Sequence, residues 1–235
     1  MGTKKTSYKA YIDTLTKISS AITSDLYLED MLKLIVTLTA NVMHAKICAL
    51  WLLDQKTKEL KIRATQSMNS DYLQERSIKL GEGIVGLVAK EKNSMVITNV
   101  LKDSRYKEKK LAQTLGLVSM LSVPMLVKKK VIGVINCYTT KEYNFSKGDK
   151  DLLSAVANQS AVAIENTELI VKTKVIQEEL ETRKKVERAK GILMKEQRLS
   201  EAEAFKLIQR TSMDKRVSMK DIAEAIILTF ELKRA

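Results

Sequence analysis

The chain has one histidine, His44, one proline, Pro124, one tryptophan and two cysteines among 235 residues. A lone histidine removes most zinc sites and every catalytic scheme that needs paired imidazoles. Cys48 and Cys137 lie far apart inside apolar runs. They read as reduced core thiols rather than a disulfide framework, which fits a cytoplasmic protein. No apolar run approaches the ~20 residues that cross a bilayer. The first ten residues are polar and basic with no apolar segment behind them, so neither a signal peptide nor a membrane partner is expected. Aromatic side chains make up only 5% of the chain, and after Phe145 just Phe205 and Phe230 remain. Both sit on apolar stripes and are expected in a core, so base stacking on aromatic rings is not expected there.

What is present is apolar mass and positive charge. Apolar residues at 45% are enough for a real core, and 235 residues allow one large domain or a medium domain plus a small one. The net charge of +13 points to an anionic partner. It concentrates between Arg183 and Lys220, where twelve cations face five acids. Nucleic acid is the natural candidate for that stretch, with a solvated basic face as the plainer reading.

Tyr8 to Thr23 carries Ile12, Leu15, Ile18 and Ile22 at helical spacing. A second helix, capped by Ser24 or Asp25, carries Leu28, Leu32, Ile35 and Val42. Lys46 to Leu53 is a compact apolar run suited to a central strand, and Leu60 to Ala64 alternates as its half-exposed hairpin partner. Gly81-Glu82-Gly83-Ile84-Val85-Gly86 is a literal GxGxxG. A dinucleotide site would require a long helix after it and an acid about 20 residues on. Here the helix has room only to about Glu91, so a positive-φ turn and a short, tightly packed helix are expected. Met95 to Val100 reads as a strand and Ser104 to Leu115 as a lysine-rich helix. Val118 to Val127 and Val131 to Thr140 form a hairpin across Lys128, Lys129 and Lys130, with Pro124 confined to an edge or a bulge. The order predicts an α/β sandwich around one antiparallel sheet.

From Asp149 to Lys190 there is neither glycine nor proline, which allows one continuous helix on the order of 60 Å long, opened by Ser146 and Asp149. Val162, Asn166, Leu169, Thr173, Ile176 and Leu180 alternate four- and three-residue steps along it, a short coiled-coil seam whose buried asparagine favours two strands. Ser200 with Glu203, and Ser218 with Asp221, are capping boxes for two further helices. One runs through Phe205, Leu207 and Ile208 to about Met213; the other stacks Ile222, Ile226 and Phe230. With the end of the long helix they make a three-helix bundle. Within that end, VERAKGILM (Val186 to Met194) places a glycine inside a helix, at a cost of about 1 kcal/mol relative to alanine. Close helix packing through Ala189 and Gly191 would explain it, with Ile192 and Leu193 anchoring the bundle. Arg188 and Lys190 are left over as candidate contacts to a partner.

Two resemblances cover most of the chain. GEGIVG (81–86), SMLSVPM (119–125), VIGVINCY (131–138) and ANQSAVAIENTEL (157–169) resemble, in order and spacing, a GAF domain. VERAKGILM, LSEAEAFKLIQRTSM (199–213) and IAEAI (222–226) resemble an ANTAR domain. The first implies a sensory or dimerising module with room for a small molecule between sheet and helices, and no NAD at the glycine turn. The second implies an RNA-binding module that stabilises antiterminator hairpins in nascent leader transcripts. The implied layout is a GAF sensory domain over residues 1–165, a coiled-coil linker helix over 166–183 and an ANTAR domain over 184–235. The RNA-facing candidates are Arg183, Lys184, Arg188, Lys190, Arg198, Arg210, Lys215, Arg216 and Lys220. No metal, cofactor or catalytic residue is implied, and the expected partners are RNA hairpins and a second copy of the chain. Two other readings compete: a DNA-binding or protein-docking regulator, and a methionine sulfoxide reductase on the GAF scaffold. The last needs a nucleophilic thiolate in an accessible pocket, which cysteines inside strands do not offer.

Overall fold

The computed structural model describes residues 8–24, 26–69, 72 and 76–233, and it divides into two compact units, 1–167 and 168–235. Unit 1 opens with helices α1 (Tyr8–Ile22) and α2 (Leu28–Val42), followed by strands β1 (Ile47–Leu53), β2 (Glu59–Thr65) and β3 (Ser77–Lys79). Helix α3 (Gly83–Glu91), strand β4 (Met95–Ile97), helix α4 (Lys109–Leu115) and the long strands β5 (Ser119–Val127) and β6 (Lys130–Thr139) complete the sheet. The strand order is β3-β2-β1-β6-β5-β4, and every pairing is antiparallel. Helix α5 (Lys147–Gln197) has residues in both units, and α6 (Glu201–Lys215) and α7 (Met219–Leu232) belong to unit 2. No helix among the described residues is long and apolar enough to cross a membrane.

Alternation along the strands splits the core into two layers. Cys48, Leu50, Ile135 and Cys137 pack with Ile18, Leu32, Ile35, Leu153 and Val156 of α1, α2 and α5. On the opposite face Ala49, Trp51, Val134 and Tyr138 pack with Ile84, Val88 and Ala112 of α3 and α4. The glycine turn behaves as its composition demands. Gly81 has φ +87°, and a Cβ on Gly86 would stand 2.3 Å from the carbonyl oxygen of Lys79. This is close packing of α3 on the backbone, not a phosphate cradle.

Several elements depart from the sequence expectation for local reasons. Asn99 Oδ1 accepts from the Leu101 and Lys102 amides, and Asp103 Oδ1 from the Arg105 amide. These side chains compete with regular backbone pairing, so β4 stops at Ile97 and the helix expected from Ser104 begins only at Lys109. Lys130 pairs with Val127 as part of β6, leaving a two-residue turn in which Lys128 and Lys129 have φ 47° and 67°. Two left-handed residues match the twist of a tight hairpin. α2 follows Tyr27 without a side-chain cap, while the Ser24 hydroxyl donates to the Ala21 carbonyl at the end of α1; Asp25 falls outside the described residues. Pro124 fits its strand because β4 covers β5 only from Met120 to Ser122, and a bulge follows at Met125.

α5 opens on a buried carboxylate. Asp149, 4% exposed, accepts from the Ser146 amide (2.7 Å) and hydroxyl (2.8 Å), the Tyr11 hydroxyl (2.8 Å) and the Tyr143 hydroxyl (3.0 Å). Burial pushes its pKa up, but the hydrogen bonds from Tyr11, Ser146 and Tyr143 win and hold it below the usual carboxylate range. A carboxyl lowered in the folded state contributes stability above its unfolded pKa and loses it as pH falls through the folded one. Asp149→Asn is therefore expected to be clearly less stable than wild type near pH 6, with the difference shrinking towards about pH 3. Urea unfolding at the two pH values checks this; a gap that does not narrow refutes it.

Candidate nucleic-acid interface

Unit 2 is small, and its core is thin. Val186, Ala189 and Leu193 of α5 meet Ala204 and Ile208 of α6 and Ala223 of α7, with Leu199, Met219, Ile222, Ile226 and Ile227 half-buried around them. Both capping boxes are formed. Ser200 Oγ accepts from the Glu203 amide at 3.3 Å, and the Ser200 amide donates back to Glu203 at 2.8 Å. Ser218 and Asp221 repeat the exchange at 3.1 Å each way. These caps set where α6 and α7 begin, and so which side chains face outwards.

The candidate cations fall into distinct environments. Arg183 and Lys184 are exposed on α5. Arg188 is exposed as well, with its guanidinium 2.6 Å from Glu231 on α7. Lys190 is a correction: its side chain is only 8% exposed and its ammonium bonds Glu201 at 2.8 Å and Glu187 at 3.0 Å. Residues two apart on a helix point about 200° away from each other, so Arg188 and Lys190 cannot share one face. Glu201 first, and Glu187 second, hold the Lys190 ammonium above its ordinary range. Arg198 and Arg216 are exposed in left-handed backbone at the turns after α5 and α6 (φ 57° and 54°). Arg210 lies exposed 3.7 Å from Asp214, Lys215 is exposed and Lys220 is half-buried. Arg198 and Lys215 bracket α6, about 20 Å apart along a 15-residue helix.

Helix phase, rather than residue type, assembles the most coherent set. Lys184, Arg188, Gly191 and Lys195 follow one another at four-, three- and four-residue steps, and all four are exposed. Lys195 was not among the sequence candidates, although its spacing from Arg188 could have found it. A Cβ on Gly191 would meet nothing within 4 Å, so packing inside the bundle does not account for this glycine. Phe205 is a second correction. It is 40% exposed, because α6 buries only Ala204 and Ile208 and Phe205 lies beside that narrow stripe. Leu207 is also 39% exposed. Phe230 is half-buried, lining with Ile192, Leu207 and Ile226 an open apolar groove of about 370 Å³. The seam positions on α5 are outward too: Val162, Leu169, Ile176 and Leu180 are between 47% and 56% exposed, and Asn166 and Thr173 are exposed.

Comparison with known proteins matches residues 27–164, more than half of the chain, to the GAF domain and residues 174–227 to the ANTAR domain. The chain belongs to the GAF domain family. It carries an ANTAR domain after the GAF domain. A transcriptional regulatory protein, PdtaR, from Mycobacterium tuberculosis is 33% identical over 126 residues, covering 54% of this chain and 59% of that protein. The chain thus spans less than two thirds of that relative's length. Among solved structures, the GAF domain of an Acinetobacter phosphoenolpyruvate-protein phosphotransferase is 26% identical with TM-score 0.61, covering 69% of this chain and 97% of that domain. A free methionine-R-sulfoxide reductase from Neisseria meningitidis shares the fold at 19% identity and TM-score 0.60, over 71% of this chain and 96% of its own. In the present GAF domain Cys48 and Cys137 are fully buried, opposite each other on β1 and β6. Burial pushes the Cys48 thiol up, away from the thiolate such chemistry requires.

The placement of the two ANTAR cations yields a direct comparison. Lys190→Ala removes a nearly buried stem and strands Glu201 and Glu187, whereas Arg188→Ala removes one exposed pair. Lys190→Ala is expected to lower the melting temperature, with Arg188→Ala close to wild type. Equal melting temperatures for the two variants would refute the structural role of Lys190.

Proposed function

We propose that this protein is a signal-responsive transcription antitermination regulator. In this reading the ANTAR domain binds hairpins in nascent leader RNA, and the protein acts in the cytoplasm as a homodimer and a binding protein rather than an enzyme. The observation that carries the reading is the exposed stripe Lys184–Arg188–Gly191–Lys195. Three cations flank a position with no side chain and open space above it. Such a surface lets a phosphate backbone approach the helix while the flanking cations neutralise it. The GAF–ANTAR pairing and the kinship with a transcriptional regulatory protein support the same assignment. Arg183, Arg198, Arg210, Lys215, Arg216 and Lys220 extend the basic surface, and Arg188 would trade Glu231 for a phosphate. Phe205, exposed beside Lys206, adds a ring on which an unpaired loop base can stack.

Binding to a two-hairpin leader RNA is expected to weaken as salt rises, with a slope of roughly 0.7 to 0.9 per phosphate contact. Equal affinity for matched duplex DNA would move the assignment to a DNA-binding regulator. Gly191→Ala sharpens the test, because it is expected to stabilise the helix by up to about 1 kcal/mol while weakening RNA binding. A higher melting temperature with unchanged RNA affinity would refute close approach at Gly191.

Dimerisation rests on α5. Besides the seam, Ile170, Val171 and Val175 are also 49% to 57% exposed, so residues 162–180 present more apolar surface than an isolated helix tolerates in water. A second copy pairing along Val162, Asn166, Leu169, Thr173, Ile176 and Leu180 would bury it. Ile176→Arg places a charge in that seam and is expected to shift the chain towards monomer in sedimentation equilibrium. An unchanged mass would remove the seam from the interface.

A further inference from the structure

The two faces of the GAF sheet differ in a way that core formation alone does not ask for. Among the described residues, six buried side-chain polar atoms have no hydrogen-bond partner in the protein. Gln159 Oε1 lies on α5. The other five are Trp51 Nε1, Tyr72 hydroxyl, Arg76 Nε, Ser122 Oγ and Asn136 Oδ1. Strand parity puts Trp51, Ser122 and Asn136 on the face shared with Tyr72, Val134 and Tyr138, under α3 and α4. Trp51, Tyr72, Ser122 and Asn136 are each 2% exposed or less. The opposite face buries Cys, Leu, Ile, Val and Met instead. An unpaired buried polar atom costs on the order of 1–3 kcal/mol, and five on one side of one sheet amount to a site rather than to scatter.

Their chemistry is specific. Arg76 brings a cation into this interior: its Cζ lies 4.6 Å from the Tyr72 ring centroid and 5.8 Å from that of Trp51. Its Nη1 donates to Glu108 at 2.6 Å and its Nη2 to the Tyr72 carbonyl, which leaves Nε without an acceptor. Trp51 Nε1 is a second donor without an acceptor. Asn136 and Ser122 face each other across β6 and β5, and Asn136 Nδ2 donates to the Tyr138 hydroxyl, leaving its Oδ1 as an acceptor. Tyr106 stands edge-on to Tyr138 with ring centroids 6.4 Å apart. Donors and a cation gather at one end, a hydrogen-bonding pair sits at the other, and aromatic rings lie between.

We propose that this interior binds a small organic carboxylate with a flat body. Its carboxylate takes the hydrogen bonds of Arg76 and Trp51, and Glu108, which neutralises Arg76 without it, is the internal competitor that it displaces. A polar group at its far end meets Asn136 and Ser122. The binding site stands apart from the RNA assignment; that its occupancy tunes RNA binding rests on the regulatory reading above.

Trp51 is the chain's one tryptophan, so its emission reports on this site alone. The full-length protein without RNA is titrated with benzoate, 4-hydroxybenzoate and 4-hydroxyphenylacetate, and in parallel with 4-hydroxybenzamide and inorganic phosphate. At least one carboxylate is expected to give a saturable change in Trp51 emission and a raised melting temperature, and the amide and phosphate are expected to give neither. Arg76→Gln is expected to weaken that carboxylate by about tenfold or more through loss of its charged donor. Glu108→Gln is expected to tighten it, a gain that impaired folding would not mimic. No response to any carboxylate overturns the proposal, as does equal binding of acid and amide, or a carboxylate affinity that neither variant changes. A carboxylate that binds and leaves RNA affinity unchanged upholds the site and removes its link to regulation; RNA binding that fails by itself leaves the fluorescence result intact.

Discussion

The register of β6 between β1 and β5 is the constraint on which the rest of the GAF unit depends. Pairing runs unbroken from Ile47 opposite Tyr138 to Leu52 opposite Gly133, and every side chain's face follows from it. A slip of one residue would carry Asn136 and the Tyr138 hydroxyl into the layer formed with α1, α2 and α5, and turn Cys137 and Ile135 to the other side. The apolar layer holds the register, because Leu50, Ile135, Leu153 and Val156 lose their contacts together if it moves. The opposite face is thereby free to carry Trp51, Ser122 and Asn136, which no apolar core would select. Stability and polarity are thus divided between the two sides of one sheet.

Helix α5 applies the same logic with a period of 3.6 instead of 2. In unit 1 it buries Leu152, Leu153, Val156, Ala157, Ala161 and Ile164; in unit 2 it buries Val186, Ala189, Lys190 and Leu193. Between them, residues 168 to 181 are exposed on every side. A stretch of that length gains nothing from its own chain's packing beyond the backbone ladder, and its apolar positions argue that packing comes from elsewhere.

Much of this architecture is legible in the sequence because periodicity and punctuation are local signals. The central strand at Lys46 to Leu53, the hairpin after Val118, the three serine-led caps and the long glycine-free helix are all written in spacing. Expectations went astray where side chains bond their own backbone. Asn99 and Asp103 shorten a strand and a helix through bonds that composition does not advertise. Phe205 went astray differently, since an apolar residue on a short amphipathic helix looks like core until the width of the buried stripe is known. The orphaned polar face was not legible at all. Trp51, Tyr72, Arg76, Ser122 and Asn136 come from four separate stretches of chain, and only the folded sheet brings them under one cover.

Lys190 and Gly191 show where reading by residue type fails and reading by phase succeeds. By type, a lysine belongs in water, and a glycine inside a helix belongs where a neighbour crowds it. The buried stripe Val186, Ala189 and Leu193 runs in steps of three and four, and Lys190 lies one step of four beyond Val186. Its methylenes therefore cover the thin core while its ammonium emerges at Glu187 and Glu201. The next residue is turned 100° away, onto the side that Lys184, Arg188 and Lys195 occupy. Gly191 thus sits where its missing side chain gives the bundle nothing and still carries the helix-propensity cost. A cost borne at an exposed position, amid three cations, is one that the chain's own fold does not recover, and it argues that whatever recovers it comes from outside and is negatively charged.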